Sequence, residues 1–273
     1  MRRIAWALPA ATALVCGCAA GPPAPAASQP PGTSGASALA SPVPSASPAL
    51  TGILRGKVVT VDPGHNDGNF HAASAIGQLI WNGRETETCD TAGAETDGGY
   101  TEATFNWNVA RYLTADLRAE GATVVLTRTG NTGVGPCVTK RAAIGNQAHA
   151  DAAISIHADG GPPGGRGFAI LEPVADGPDD AIIGPSVTLG ADLRAAFASG
   201  TGEPVSSYDG TDGIKFRDDL AGLNLSRVPK VFIECANMRN AADAALVTSP
   251  RWQAKAARAI AAGLTAFLTR AGS

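Results

Sequence analysis

Four short runs constrain this chain more than anything else in it. KVVTVD (57–62), ATVVLTR (122–128), AAISIHA (152–158) and KVFIECA (230–236) are β-branched and almost continuously apolar. A strand with one face in water alternates apolar and polar residues, whereas a strand covered on both faces has no need to. Helical patterns lie between the runs. In residues 101–121, Phe105, Val109, Leu113 and Leu117 recur every four positions, Thr101 can cap the start and Gly121 closes the end. Further helices fit 138–150, 186–198 and 251–270. Strand alternating with helix predicts an α/β fold, a three-layer domain with a mostly parallel twisted sheet and helices on both faces.

The chain does not enter that pattern at once. Residues 1–18 carry two arginines, an apolar stretch and then small residues, the pattern of an export signal and too short to span a membrane. Its end, VCGC, resembles a bacterial lipoprotein box in which Cys18 would be lipidated; simple secretion is the other reading, because Cys16 departs from the usual residue there. Any membrane attachment would then run through that N-terminal lipid alone. Residues 19–51 are nearly all Ala, Pro, Ser or Gly and carry no charge, so they bury too little apolar surface to offset ordering and read as a disordered tether. The folded domain is expected over 52–273, long enough for one core. A net charge of −3, with no basic block interleaved with aromatics, argues against a nucleic-acid partner.

In open parallel sheets, sites gather at the carboxyl ends of strands. His65 follows the first strand in VDPGH, His157 ends ISIH, and Glu102 opens the helix at 101–121, where the helix N-terminus favours an ionised carboxylate. Two imidazoles and a carboxylate can make a catalytic zinc site, which takes three protein ligands and keeps one position for water. A strand-end histidine is also often structural, and this spacing alone leaves both readings open. Glu234 ends the strand VFIECA, where a carboxylate is costly unless it is paired or working.

Together VDPGH, the helix opened by Glu102, SIHADG and the late strand with Glu234 resemble the zinc-dependent N-acetylmuramoyl-L-alanine amidases of the amidase-3 type, in the actinobacterial kind without a separate wall-binding domain. The likeness covers about 52–270 and extends to Thr127–Arg128, Arg141, Asn146, GLNLSRVPKVFIE and Asn237–Met238. It implies a sheet of about six strands, Zn2+ held by His65, Glu102 and His157, and Glu234 as catalytic acid/base. It implies as substrate the peptidoglycan amide between N-acetylmuramic acid and L-alanine, acted on by an exported monomer in the cell envelope. A zinc peptidase acting on stem peptides and an inactive wall-binding protein of the same fold are the alternatives; the second usually lacks a ligand or the glutamate, and all four positions are filled here.

Relatives commonly read GHGG where this chain has GHND, so Asn66 or Asp67 would shape the pocket rim or hydrogen-bond a ligand. The Gly- and Thr-rich insertion 66–100 would frame or partly cover the cleft. It contains Cys89, and Cys137 lies in GPCVTKR; export makes the two natural partners, and the actinobacterial relatives have cysteines at both positions. Such a bridge would tie the insertion to the start of a helix, with zinc held by residues outside it. Alternation turns Cys235 away from Glu234 into the core, against the rival reading of a cysteine nucleophile working with His149 or His157. His71 and His149 read as ordinary surface or helix residues.

Overall fold

The computed structural model describes residues 52–175 and 180–270. The chain divides into two units, Met1–Ala46 and Ser47–Ser273, and every described residue belongs to the second. The export signal, Cys18 and the tether 19–51 lie outside the described residues.

Six strands form the central sheet: β1 (Val58–Pro63), β4 (Thr123–Leu126), β5 (Ala152–Asp159), β6 (Ala169–Pro173), β7 (Ile214–Arg217) and β8 (Lys230–Asn237). Their order is β4-β1-β5-β8-β6-β7. All neighbours run parallel except β6 and β8, which pair antiparallel. Strands β2 (Leu79–Trp81) and β3 (Thr86–Thr88) make a separate antiparallel hairpin inside the 66–100 insertion. The helices are α1 (Ala73–Ile76), α2 (Glu102–Ala119), α3 (Val138–Gln147), α4 (Asp180–Thr201), α5 (Ala221–Asn224), α6 (Ala241–Val247) and α7 (Pro250–Arg270).

The expected α/β architecture holds, but the two faces of the sheet differ. One is apolar: Val59, Val61, Ile154, Ile156, Val231 and Ile233 are fully buried in the core shared with α2, α4 and α7. Phe105, Val109, Leu113 and Leu117 of α2 enter that core fully buried, each adding about 1.5–3 kcal/mol of transfer free energy. The other face carries Thr60, Asp62, Ser155 and Lys230, all buried. Over it lie the shorter helices α3 and α5, whose Gly145 and Gly222 approach Thr60 and Phe232 closely. The polar face rises to the carboxyl ends of β1, β5 and β8.

The sheet has the six strands that the resemblance implies, while one helix boundary differs and two of the strands carry no continuous apolar run of their own. The strands β6 and β7 had no counterpart in the sequence reading: β6 is five residues long and contains Glu172, and β7 is an edge strand with Phe216 exposed, so neither shows the continuous apolar signal. Helix α4 starts at Asp180 rather than near 186, running through Pro185, whose missing N–H removes one bond close to the helix start. The insertion 66–100 is built around a 3-10 turn (Asp67–His71), α1 and the hairpin. No helix among the described residues is long and apolar enough to cross a membrane.

Candidate metal centre

The VDPGH turn delivers His65 in a left-handed backbone conformation, φ +56°, which a non-glycine residue adopts only when its surroundings hold it there. Two arginines do so by collecting the carbonyls of the turn. Arg128 donates to Pro63 O (2.8 Å) and Gly64 O (3.2 Å), and Arg141 donates to Pro63 O (2.8 Å) and His65 O (3.0 Å). Gly64 is needed for contact: a Cβ there would lie 2.1 Å from Cε1 of His157. The apolar strand therefore ends in a clamped turn that presses two histidines together, their ring centroids 5.0 Å apart.

Glu102 is the first residue of α2. Thr101 caps that helix, accepting the Thr104 N–H at 3.2 Å while its hydroxyl donates to Asp67 Oδ1 at 2.6 Å. Asp67 also accepts the Thr104 hydroxyl at 2.8 Å. Asp67 thus anchors the helix that carries Glu102 rather than bonding a histidine, and Asn66 donates to Gly130 O at 3.2 Å.

Three side-chain atoms face one another. Glu102 Oε1 lies 2.8 Å from His157 Nδ1 and 3.4 Å from His65 Nε2. Among the described residues His65, Glu102 and His157 form a group whose donor atoms all lie within 4.8 Å of one another. The outward nitrogen of each ring is held as well: His65 Nδ1 by Asp90 Oδ1 and Thr91 O, both at 3.1 Å, and His157 Nε2 by the Ser155 hydroxyl at 3.2 Å. Holding the outer nitrogen is how a protein fixes the tautomer of a metal-binding histidine. Glu102 Oε2 accepts the Ala94 N–H at 2.8 Å, leaving Oε1 aimed between the rings. Phe232 stacks on His157 at 5.2 Å, the two rings nearly parallel.

Electrostatics favour a cation here. Burial works against a charged imidazole, yet Glu102 and Asp90 raise His65 to about 10. Burial would also lift Glu102, but the two histidines hold it well below the usual carboxylate range. Imidazoles bind metal in their neutral form, so a cation would take the place of the proton that Glu102 and Asp90 favour on His65; two imidazoles and one carboxylate, pre-aimed from three elements, fit a divalent metal of the zinc type.

Glu234 lies in register with His157 across the β5–β8 ladder. Its Oε2 is buried without a hydrogen-bond partner, and burial, with Glu102 and Asp159 nearby, pushes its carboxyl well above the ordinary range. A proton-accepting oxygen left free beside the cluster is disposed for acid/base work. Beneath the rings a cavity of about 140 Å3 opens between His157, Phe232, Glu87 and Leu220.

The model of the N-acetylmuramoyl-L-alanine amidase family matches residues 59–266. The chain belongs to this amidase family. It is 39% identical over 237 residues to the N-acetylmuramoyl-L-alanine amidase Rv3717 of Mycobacterium tuberculosis, covering 86% of this chain and 96% of that protein. It is similar to the crystal structure of the amidase Ami1 from Mycobacterium smegmatis (40% identity, TM-score 0.74, 79% of this chain and 98% of that one). Ami1 from Mycobacterium abscessus gives 41% identity and the same TM-score of 0.74, over 78% of this chain and 99% of that one.

Within this amidase the sequence reading missed Asp90, Thr91, Gly93 and Ala94, which wrap the candidate ligands. Gly93 takes φ +83°, and a Cβ on it would fall 2.8 Å from His65 Cδ2 and 2.9 Å from Glu102 Oε2. The only available signal was the adjacency of Asp90 to a cysteine with a partner elsewhere. Cys89 and Cys137 are joined, Cα to Cα 4.8 Å, and Cys235 is free and fully buried in the core. The candidate ligands lie outside the bridge, and the bridge stands beside them, since Cys89 precedes Asp90, which faces His65. His71 and His149 are exposed, away from the cluster.

Proposed function

We propose that the chain hydrolyses the amide between the lactyl group of N-acetylmuramic acid and L-alanine in peptidoglycan, with Zn2+ held by His65, Glu102 and His157 and with Glu234 as general acid/base. The observation that carries this reading is the convergence of His65 Nε2, Glu102 Oε1 and His157 Nδ1, with Glu234 beside them and its Oε2 unpartnered.

A bound zinc ion supplies Lewis acidity to the scissile carbonyl and brings the pKa of a coordinated water to about 7. The protein's own groups do the remainder. Asp90, Thr91 and Ser155 hold the two imidazoles with their inner nitrogens toward Glu102. The raised carboxyl of Glu234 makes it a stronger base once ionised, so Oε2 can take a proton from the attacking water and return it to the departing alanine nitrogen. The same proton therefore serves both halves of the hydrolysis.

Export to the cell envelope belongs to the proposal, since a Cys89–Cys137 bridge suits an oxidising compartment. The mass of the mature N-terminus distinguishes a lipidated Cys18 from a simply cleaved chain.

The test joins metal analysis to product analysis. Purified protein is expected to hold about one zinc, His65→Ala and His157→Ala to lose both metal and activity, and a muropeptide digest to release peptides beginning with L-alanine. Full activity after exhaustive chelation overturns the reading. Peptides cut within the stem, with the sugar still substituted, establish a peptidase instead.

A further inference from the structure

Asp90 is a buried carboxylate, 5% exposed, in a loop of the insertion, and nothing in its surroundings leaves it idle. Its Oδ1 faces His65 Nδ1 at 3.1 Å and accepts the Thr91 N–H at 2.8 Å, while its Oδ2 accepts from Arg141 Nη2 at 3.2 Å. Both sides of this arrangement are tied to the disulfide. Cys89 immediately precedes Asp90; Cys137 immediately precedes α3, and Arg141 stands one turn into that helix. The Val138 N–H also donates to Cys89 O at 2.8 Å, so the bridge is continuous with a backbone hydrogen bond. Arg141 in turn grips Pro63 O and His65 O, the turn that gives His65 its left-handed backbone.

We infer that Asp90 is the positioning residue for His65, and that the Cys89–Cys137 bridge strengthens metal binding by holding Asp90 and Arg141 in place. The inference rests on the zinc reading above. A carboxylate at Nδ1 keeps the ring proton there, leaves the Nε2 lone pair toward Glu102 and His157, and makes that lone pair more basic. Thr91 O, a neutral acceptor at the same 3.1 Å, is the weaker partner that remains when Asp90 is changed. An asparagine at 90 keeps one acceptor oxygen where Asp90 meets donors on both oxygens, His65 Nδ1–H and Thr91 N–H on one and Arg141 on the other, so one side must face its amide N–H. Removing the bridge leaves Asp90 chemically intact but frees the segment that aims it.

The experiment measures Zn2+ affinity by competition with a chromophoric chelator, on the exported, oxidised chain, on Asp90→Asn, on Cys89→Ser/Cys137→Ser, and on the triple variant. Nitrogen-15 and proton shifts of the His65 Nδ1–H in zinc-loaded samples of the same proteins report its hydrogen bond to residue 90. Asp90→Asn is expected to weaken zinc about 10–100-fold, the usual effect of losing a partner behind a ligand, and to move the Nδ1–H resonance toward that of a weaker hydrogen bond. The double-serine variant should weaken zinc in the same direction, and the triple variant should be weakened by less than the two losses combined, because the bridge acts in part through Asp90 and in part through Arg141 on the His65 turn. Unchanged zinc affinity and an unchanged Nδ1–H resonance in Asp90→Asn overturn the positioning role, and equal, additive losses from the bridge with and without Asp90 overturn the link between them. If Asp90→Asn does not fold, the double-serine variant carries the test, and parental zinc affinity in it overturns the inference. An unaltered chain that binds no zinc defeats the earlier functional reading instead.

Discussion

Glu172 allows a quantitative test of how the apolar face of the sheet treats a charge. It sits on β6 at 2% exposure, and its Oε2 has no hydrogen-bond partner. Helix α4 crosses so close that a Cβ on Gly190 would lie 2.1 Å from Glu172 Oε1. Burial alone raises this carboxyl from 4.5 to about 7. The folded state therefore binds the proton more tightly than the unfolded chain, and stability falls as pH rises from about 4.5 through about 7. Each pH unit of that window is worth about 1.4 kcal/mol, so the ionised side chain costs the fold about 3 kcal/mol above it. Glu172→Gln keeps the shape and removes the titration. Urea unfolding of parent and variant at about pH 4.5 and about pH 8 gives the check. The variant's advantage should grow by about 3 kcal/mol between the two conditions, and because the comparison is between variant and parent, groups that titrate in both cancel. A stability difference independent of pH would show that Glu172 is not held in a dry, unpaired setting, and the reasoning would fail.

Glu234→Gln should keep zinc and fold while turnover drops by a factor on the order of 10²–10⁴, the range for a lost general acid/base, as read from a muropeptide digest alongside metal analysis. Loss of zinc in that variant would make Glu234 a ligand and reverse the assigned roles. Gly64→Ala forces a methyl to within 2.1 Å of the His157 ring, so the ring must move. Activity should fall about 10²-fold, the scale of a 1 Å misplacement of a reacting group, with zinc affinity falling too; parental values in both would refute the close-contact explanation.

Which parts of this protein could be read in one dimension follows from where each residue sits. The strands β1, β5 and β8 are central and covered on both sides, so their apolar runs are long enough to stand out, and the candidate ligands stand at element boundaries, where a histidine or glutamate interrupts a clear pattern. Glu102 was legible because it opens a helix whose buried residues recur every four positions. The edge strand β7 and the short β6 are held by register against neighbours rather than by their own patterning, and that register is invisible until β8 is placed. Asp90 lies deeper still: its role exists only once a bridge spanning 48 residues brings the insertion to α3.

The polar face of the sheet explains why so much around the site is charged and yet buried. Asp62, on β1, accepts Thr127 Oγ1 (2.7 Å), Arg141 Nη1 (3.1 Å), Ser155 Oγ (3.1 Å) and Lys230 Nζ (3.2 Å). Burial pushes its carboxyl up, but Lys230 and Arg141 overcome that and keep it ionised. Such an arrangement contributes little net stability over an apolar core, because desolvation offsets most of its attraction. It does connect both outer supports of the candidate metal site. Ser155, which holds His157, also touches Asp62; Arg141, which holds Asp90 behind His65, touches Asp62 as well. One buried carboxylate thus fixes both histidines through separate hydrogen-bonded arms. On the proposed reading, the chain accepts charge on this face because rigid ring orientation, which apolar packing alone does not specify, is what a three-ligand metal centre would require.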